Sequence, residues 1–555
     1  MLIKLTGGKI YDPAHGINGK VKNIYIRDGK IIQPPKGRMK VDKEYILNGK
    51  IVMAGAIDLH THIGGGKVNL ARTLMTHEHR TDPHPQTTLK RSGSGHATPD
   101  TLSAGYRYAE MGYTTCFEPA LLPSNARQSH MEMADTPMLD TGGYALLGSD
   151  DFLLKMLADN ADQSAINDYV AWTLHASQCI GIKVVNPGGI NAFKFNQRSL
   201  DVDEDNQYYN ISPRDIIRSL SRAIHELGVP HPLHVHCSNL GVPGNFESTL
   251  ATMDAAEGHP IHLTHIQFHS YGTEGERKFS SAAAQIAEAV NRQKHISMDV
   301  GQILFGQTAT ISGDSMKQYT NHQHAHPKKW ICMDIECDAG CGIVPFRYRD
   351  KDFVNALQWA IGLELFLLAD DPWRIFLTTD HPNGAPFTSY PHLIRLLMDR
   401  SFRNDMLAHI NPLAKQHTIL DTLDREYSLY EIAIMTRAAP AKILGLKDRG
   451  HLAKNALADI TVYDPQDNIE AMFEKPLYVF KSGELIVEKG QLKKIVRGKT
   501  QVVRPDYDIS IEKKLNRYFN RYHTMKLSNF KISDDEMAEG IGSPVKVHAC
   551  KDRIA

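Results

Sequence analysis

Short apolar segments with strand character alternate with amphipathic, helix-like segments through the middle of this chain. The helix-like stretches include 162–180 and 212–228. The strand-like segments are 51–62, 112–120, 143–150, 181–187, 231–239, 261–268, 295–301 and 374–382. Eight strand–helix units in succession are typical of parallel strands closed into a barrel. We therefore predict an α/β protein whose main unit is a TIM (β/α)8 barrel.

A second kind of pattern marks the two ends of the chain. Short strands and turns fill the first fifty residues, and a similar β-rich stretch returns after residue 455. We predict that the two ends pair into one small β-sandwich. The predicted domains are 1–52 and 446–505 for its two parts, 53–445 for the barrel, and 506–555 for a C-terminal extension.

Composition excludes several classes of protein. The chain has 555 residues, 42% of them hydrophobic, which is enough for a large core. A formal net charge of zero gives no reason to expect nucleic acid as a partner. No apolar run is long enough for a membrane span, and the N-terminus lacks the apolar region of a secretory signal. Seven cysteines do not suggest a disulfide framework, so we expect a cytoplasmic protein.

Metal-binding side chains gather where the predicted strands end. TIM-barrel enzymes carry their active site at the carboxyl ends of the strands. Side chains two residues apart on a strand share a face, so His60 and His62 are able to bind one ion together. The alternative is two hydrogen-bonded polar side chains at a strand end. The polar residues at predicted strand ends are His60, His62, Lys183, His234, His236, His262, His265, Asp299 and Asp380.

This arrangement resembles the amidohydrolase superfamily, which includes dihydroorotase, dihydropyrimidinase and urease. Three longer stretches narrow the resemblance: GAIDLHTHIGGGKVNLAR (55–72), GIKVVNPGGINAFKFN (181–196) and LTTDHPNGAPFTSYPHLIRLLMDR (377–400). They are similar to the A subunits of formylmethanofuran dehydrogenases. They are equally similar to the A subunits of the bacterial formyltransferase/hydrolase complexes.

The resemblance implies two divalent cations, with zinc as the default metal because it accepts imidazole and carboxylate ligands. The implied ligands are His60, His62, Lys183, His236, His265 and Asp380. Lys183 would be carbamylated by CO2 to bridge the ions. A lysine that extends to solvent from a strand end is the alternative. Asp380 and His265 are the implied catalytic residues. Asp380 would act as the base, although an aspartate before Pro-Asn-Gly is also a common turn residue.

Loops after the strands are candidates for substrate contact. The segment 67–105 is long for a βα loop, and such loops are often binding loops or lids. We expect Asn69, Arg72, Asn186, His269 and Asn383 to bind substrate. A solvated loop is the alternative for 67–105. The stretch 321–341, rich in His and Cys, is interpreted as a subunit contact, with a second metal cluster as the alternative.

The implied reaction is hydrolysis of the N-formyl amide of formylmethanofuran or an analogue, giving formate and the furan amine, or its reverse. The sequence has no dinucleotide fingerprint and no iron–sulfur spacing, so we expect any redox step to lie in other subunits of a C1-transfer complex. Two other functions stay open. One is a cyclic-amide hydrolase of the dihydropyrimidinase or hydantoinase type. The other is a non-catalytic, amidohydrolase-like scaffold subunit.

Overall fold

The computed structural model describes residues 1–37, 40–80, 86–90, 95–312, 332–334, 339–340 and 342–551. The stretch 321–341 therefore lies almost wholly outside the described residues, as does Arg91 in the long loop. In the part of the chain that is described, no helix combines the length and apolarity needed to cross a bilayer.

Eight parallel strands form the central barrel, which confirms the predicted fold class. Neighbouring strands pair in parallel from β1 through to β8. A parallel bridge between Thr61 and His381 closes the circle between β1 and β8. The strands are β1 (Ala56–Asp58), β2 (Tyr113–Leu121), β3 (Asp140–Leu147), β4 (Gly181–Val185), β5 (Leu233–His236), β6 (Ile261–Leu263), β7 (Ile296–Asp299) and β8 (Ile375–Phe376).

Helices follow most barrel strands and cover the outside of the barrel. Pro213–Glu226 shows why they form where they do, because Ser212 and Asp215 make a reciprocal capping box and Pro213 occupies the first turn. The α-helices are Gly66–Leu74, Thr101–Glu110, Ala126–Ala134, Asp151–Ala158, Gln163–Ser177, Gly189–Lys194, Pro213–Glu226, Phe246–Ala255, Ala283–Arg292, Phe353–Leu368, Tyr390–Met398, Arg400–His409, Pro412–Lys415, Leu429–Ala433, Ala439–Ile443, Ile469–Glu474 and Ile511–Tyr522.

Both ends of the chain contribute to one mixed sheet beside the barrel, as the sequence predicted. Ile51–Ala54 pairs antiparallel with Ile460–Tyr463 and so joins the two halves. The N-terminal strands are Leu2–Asp12, Ile17–Arg27, Lys30–Ile32, Lys43–Ile46 and Ile51–Ala54, and the C-terminal ones are Ile460–Tyr463, Tyr478–Lys481, Glu484–Glu488 and Gln491–Leu492.

The first predicted strand, 51–62, divides at Gly55 between these two sheets. Ile51–Ala54 belongs to the terminal sheet, whereas the next residues belong to barrel strand β1. A side chain at Gly55 would place its Cβ 2.4 Å from Thr114 Oγ1, so only glycine allows the chain to cross here. Beyond β1 the chain continues without regular strand structure to His60 and His62.

Two further segments extend the barrel. A hairpin of Gly306–Ser312 and Gly342–Tyr348 follows β7. Near the C-terminus, Thr500–Val503 pairs in parallel with Val545–His548 and touches the start of β3 through Thr500 and Thr141. The smaller strands Tyr271–Gly272, Ser280–Ser281, Cys332–Asp334 and Ala339–Gly340 complete the described elements.

Candidate metal centre

His60, His62 and Asp380 form the first group of possible metal ligands. All three are buried, and one ligand atom from each lies within 4.8 Å of the others. Asp380 Oδ1 is 2.8 Å from His60 Nε2 and 3.4 Å from His62 Nε2. Two atoms bound to one zinc ion at ~2.0–2.1 Å stand about 3.3 Å apart in tetrahedral geometry. The donor spacing therefore suits one small cation.

His236, His265 and His269 form a second, equally buried group. They come from the end of β5 and from the turn after β6. Burial holds the pKa of His236 and His265 well below the usual histidine value. Neutral imidazole is the form that binds metal, so burial keeps these rings ready as ligands. His269, predicted as a substrate contact, is placed among possible ligands instead.

Lys183 projects from β4 into the same cavity as His62, His236, His265 and Asp380. Its side chain is buried, and hydrogen bonds between β4 and β5 pair Lys183 with His234. Burial lowers the pKa of the Lys183 amine to about 8, although Asp380 and Asp299 act in the opposite direction. A substantial fraction of this amine is therefore neutral near physiological pH. One cavity thus holds two groups of donors and a nucleophilic amine between charged neighbours.

Asp380 is held as a carboxylate. Burial alone would raise its pKa, but His265 and His60 outweigh burial and hold the pKa of Asp380 well below its usual value. Its backbone adopts φ of +50°, and His265 adopts φ of +37°. Such left-handed conformations are costly for residues other than glycine and concentrate at functional sites. The fold therefore maintains two strained residues in order to aim these side chains.

Glu118, at the end of β2, is a site residue that the sequence reasoning missed. Its carboxylate accepts hydrogen bonds from His62 Nδ1 at 2.9 Å and from the backbone N–H of Ile63 at 2.8 Å. Burial lowers the pKa of His62, but Glu118 more than compensates, so that this pKa is raised overall. A carboxylate behind a ligating histidine fixes the ring and increases its basicity. An acidic residue inside the apolar stretch TTCFEPA was the signal available in the sequence.

Asp299 on β7 supports the second group. Its Oδ1 accepts the backbone N–H of His265 at 3.0 Å and the hydroxyl of Thr378 at 2.7 Å. Its Oδ2 lies 3.1 Å from His262 Nε2. The remaining strand-end histidine, His234, lies 2.9 Å from His60 Nδ1 through its Nε2. These strand-end residues lie beneath the ligand groups and orient them.

The predicted substrate contacts divide into two sets. Asn383 lines the cavity, and Asn186 is buried next to it with its N–H bonded to the carbonyl of His236. Arg72 instead donates to the carbonyl of Ile63 at 2.9 Å and to Asn69 Oδ1 at 2.8 Å. Among the described residues, Asn69 and Arg72 lie outside the cavity lining, and they brace the loop that follows His62. Lys67, which the sequence reasoning did not single out, does line the cavity.

Comparison with known proteins agrees with this site. Residues 46–487 match the family described as "Amidohydrolase family". Among the A subunits of formyltransferase/hydrolase complexes, that of the Fhc complex of Methylorubrum extorquens is 42% identical to this chain over 98% of both proteins. The chain is also 40% identical to "Protein FwdA" of Methanocaldococcus jannaschii over 96% of both.

The solved structures agree as well. The crystal structure of the FhcABCD complex of Methylorubrum extorquens with methylofuran contains a chain that superposes with a TM-score of 0.93. That chain is 41% identical, and the match covers 99% of this chain and 100% of that one. N-acyl-D-glutamate deacylase of Bordetella bronchiseptica, at 16% identity and a TM-score of 0.50, shares the fold alone. The resemblance read from the sequence is confirmed.

Proposed function

Because the chain belongs to the amidohydrolase family, we propose that it hydrolyses the N-formyl amide of a methanofuran-type carrier, or forms that amide in reverse. The products are formate and the primary furan amine. The observation that carries this proposal is the single cavity that His62, Lys183, His236, His265 and Asp380 line together. Relatives named as subunits of formyltransferase/hydrolase and Fwd proteins supply the substrate class.

The residues fit two divalent cations, with zinc as the first choice. His60, His62 and Asp380 would hold one, and His236 and His265 the other, with His269 within reach of the second. Imidazole nitrogen and carboxylate oxygen are the donors that zinc accepts. When bound, the cations supply acidity to a water molecule and polarise the formyl carbonyl.

Lys183 would join the two groups as a carbamate. The neutral amine attacks CO2, forms an N–C bond and releases one proton, which leaves an anion with two oxygen donors. An ammonium has no lone pair for this attack, so the pKa of about 8 favours the reaction at cellular pH. Burial of a lysine among carboxylates and histidines has no evident packing role that methionine would not fill equally well.

Asp380 is the base of the proposed reaction. As a carboxylate it takes the proton of the attacking water and then delivers it to the amide nitrogen as the C–N bond breaks. His265, beside it, is the second catalytic residue because its ring and backbone set the position of the carbonyl-binding side of the cavity. Asn383, which also lines the cavity, would hydrogen-bond to the bound substrate.

The chain would act inside a cytoplasmic complex of several subunits. The M. extorquens structure is of a four-subunit complex named FhcABCD, and this chain matches one of its chains over nearly its full length. Delivery or removal of formate and of formyl groups would then be tasks of the other subunits.

Formate release tests the proposal. The purified complex, loaded with zinc, is given the formylated carrier without any electron acceptor, and formate is measured over time. We expect release that a chelator abolishes and zinc restores. Ring opening of dihydrouracil at a comparable rate would favour a cyclic-amide hydrolase, and absence of release from a metal-loaded complex would favour a scaffold.

A further inference from the structure

A second, largely apolar pocket adjoins the proposed metal cavity. Val185, the last residue of β4, contributes to the lining of both. Strand-end residues of the barrel form one wall, and the C-terminal extension forms the other. The lining residues that matter here are Leu122, Leu147, Ile190, Phe519 and Phe530. The free space is about 80 Å³, which is smaller than the ~150 Å³ of an apolar cavity that holds benzene, so it admits at most one small ring.

One polar group in this pocket points to a ligand. Ser149, directly after β3, lines the pocket and is only 7% exposed. Its Oγ has no hydrogen-bond partner among the residues that the structure describes. A buried hydroxyl without a partner costs ~1–3 kcal/mol, and a ligand with an acceptor atom would remove that cost. An apolar pocket with one free donor is complementary to a heteroaromatic ring.

We propose that this pocket binds the furan ring of the amine that carries the formyl group, with the Ser149 hydroxyl donating to an oxygen of the ring or its ether substituent. This inference rests on the proposed function. The shared Val185 places the ring next to the cavity in which its formamide would react. Aromatic side chains such as Phe519 and Phe530 favour ring stacking and edge contacts over binding of an aliphatic amine.

Product inhibition provides the test. The zinc-loaded complex hydrolyses the formylated carrier, and inhibition constants are measured for furfurylamine, which has the ring, and for methylamine, which lacks it. The ratio of the two constants reports the contribution of the ring. Leu122→Trp fills the pocket and should lower this ratio at least tenfold. Ser149→Ala removes only the hydroxyl and should lower it about threefold.

Leu413→Trp is the matched control, because Leu413 is 43% exposed and lies on a different helix. It should leave the ratio unchanged. Zinc content verifies that each variant retains its fold. An unchanged ratio in both pocket variants of an active complex would overturn this inference and leave the proposed function intact. Failure of the wild-type complex to hydrolyse the carrier would overturn both.

Discussion

At the residue scale, burial sets the protonation form of each candidate ligand before any cation is considered. Burial keeps His236 and His265 neutral, and it brings the pKa of Lys183 to about 8. Glu118 acts against burial at His62 and raises the pKa of that ring. The barrel interior thus prepares both neutral nitrogen donors and an amine able to react with CO2.

Lys183→Met should remove both cations and lower formate release at least a thousandfold. It should also stabilise the metal-free fold. A pKa lowered from 10.5 to about 8 means that burial of the ammonium costs about 3 kcal/mol. This cost is complete below about pH 8 and disappears as the pH approaches 10.5, because the lysine is then neutral in both states. Denaturant titration at pH 7 and pH 10 in CO2-free buffer, with metal analysis, checks both expectations.

Two results would contradict this account of Lys183. A variant that keeps both cations would show that the side chain does not bridge them. A variant that is less stable than the wild type at pH 7 would show that Lys183 stabilises the fold by packing.

Glu118→Gln should weaken zinc binding 10- to 100-fold, which is the usual effect of losing a carboxylate behind a ligating histidine. The amide keeps the shape but removes the charge that supports His62. Glu364→Gln is the matched control, since Glu364 is equally buried and bonds to Ser281 and Thr418 away from the cavity. Competition with a zinc chelator measures both affinities, and equal losses in the two variants would argue against a specific role.

At the scale of elements, the sequence predicted the eight strands and the polar residues at their ends, because apolar runs and the period of two are local signals. It did not predict the break at Gly55, which depends on contact with Thr114, a residue distant in sequence. The same holds for Thr500–Val503, whose contact with β3 crosses more than 350 residues. Glu118 was missed because a lone carboxylate in a strand has no periodicity to reveal its partner.

Gly301 illustrates how an element end controls the site. An added Cβ would lie 2.4 Å from the Cβ of His265 and 3.3 Å from that of Asp380. Gly301→Ala should therefore displace these two side chains and lower formate release at least a hundredfold, with loss of zinc from the second group.

Gly16→Ala separates packing from backbone strain in this experiment. Gly16 has φ of +63°, nearly equal to the +64° of Gly301, but nothing lies within 4 Å of its Cβ position. Both variants should lose about 1 kcal/mol of unfolding free energy from strain, and only Gly301→Ala should lose activity. Retained activity in Gly301→Ala would show that the cavity tolerates the displacement.

At the scale of the whole molecule, the terminal sheet and the barrel are tied together by buried charges. Asp140, the first residue of β3, accepts hydrogen bonds from Arg449 at 2.6 Å and from Lys481 of the terminal sheet. Lys481 also lies 2.8 Å from Asp459. Arg449 and Lys481, with help from the Lys499 N–H, outweigh burial and hold the pKa of Asp140 well below its usual value. Breaking such a buried network typically costs ~3–5 kcal/mol, so neither unit is expected to unfold alone.

Removal of metal should therefore destabilise the entire chain in one step. A ligand present at a thousand times its dissociation constant adds about 4 kcal/mol to the folded state, and a chelator removes that contribution. We expect calorimetry of the isolated subunit to show one transition that moves to lower temperature after chelation and returns with zinc. A chelator that shifted only one of two separate transitions would show that the buried charges between Asp140 and Lys481 do not couple the sheet to the barrel.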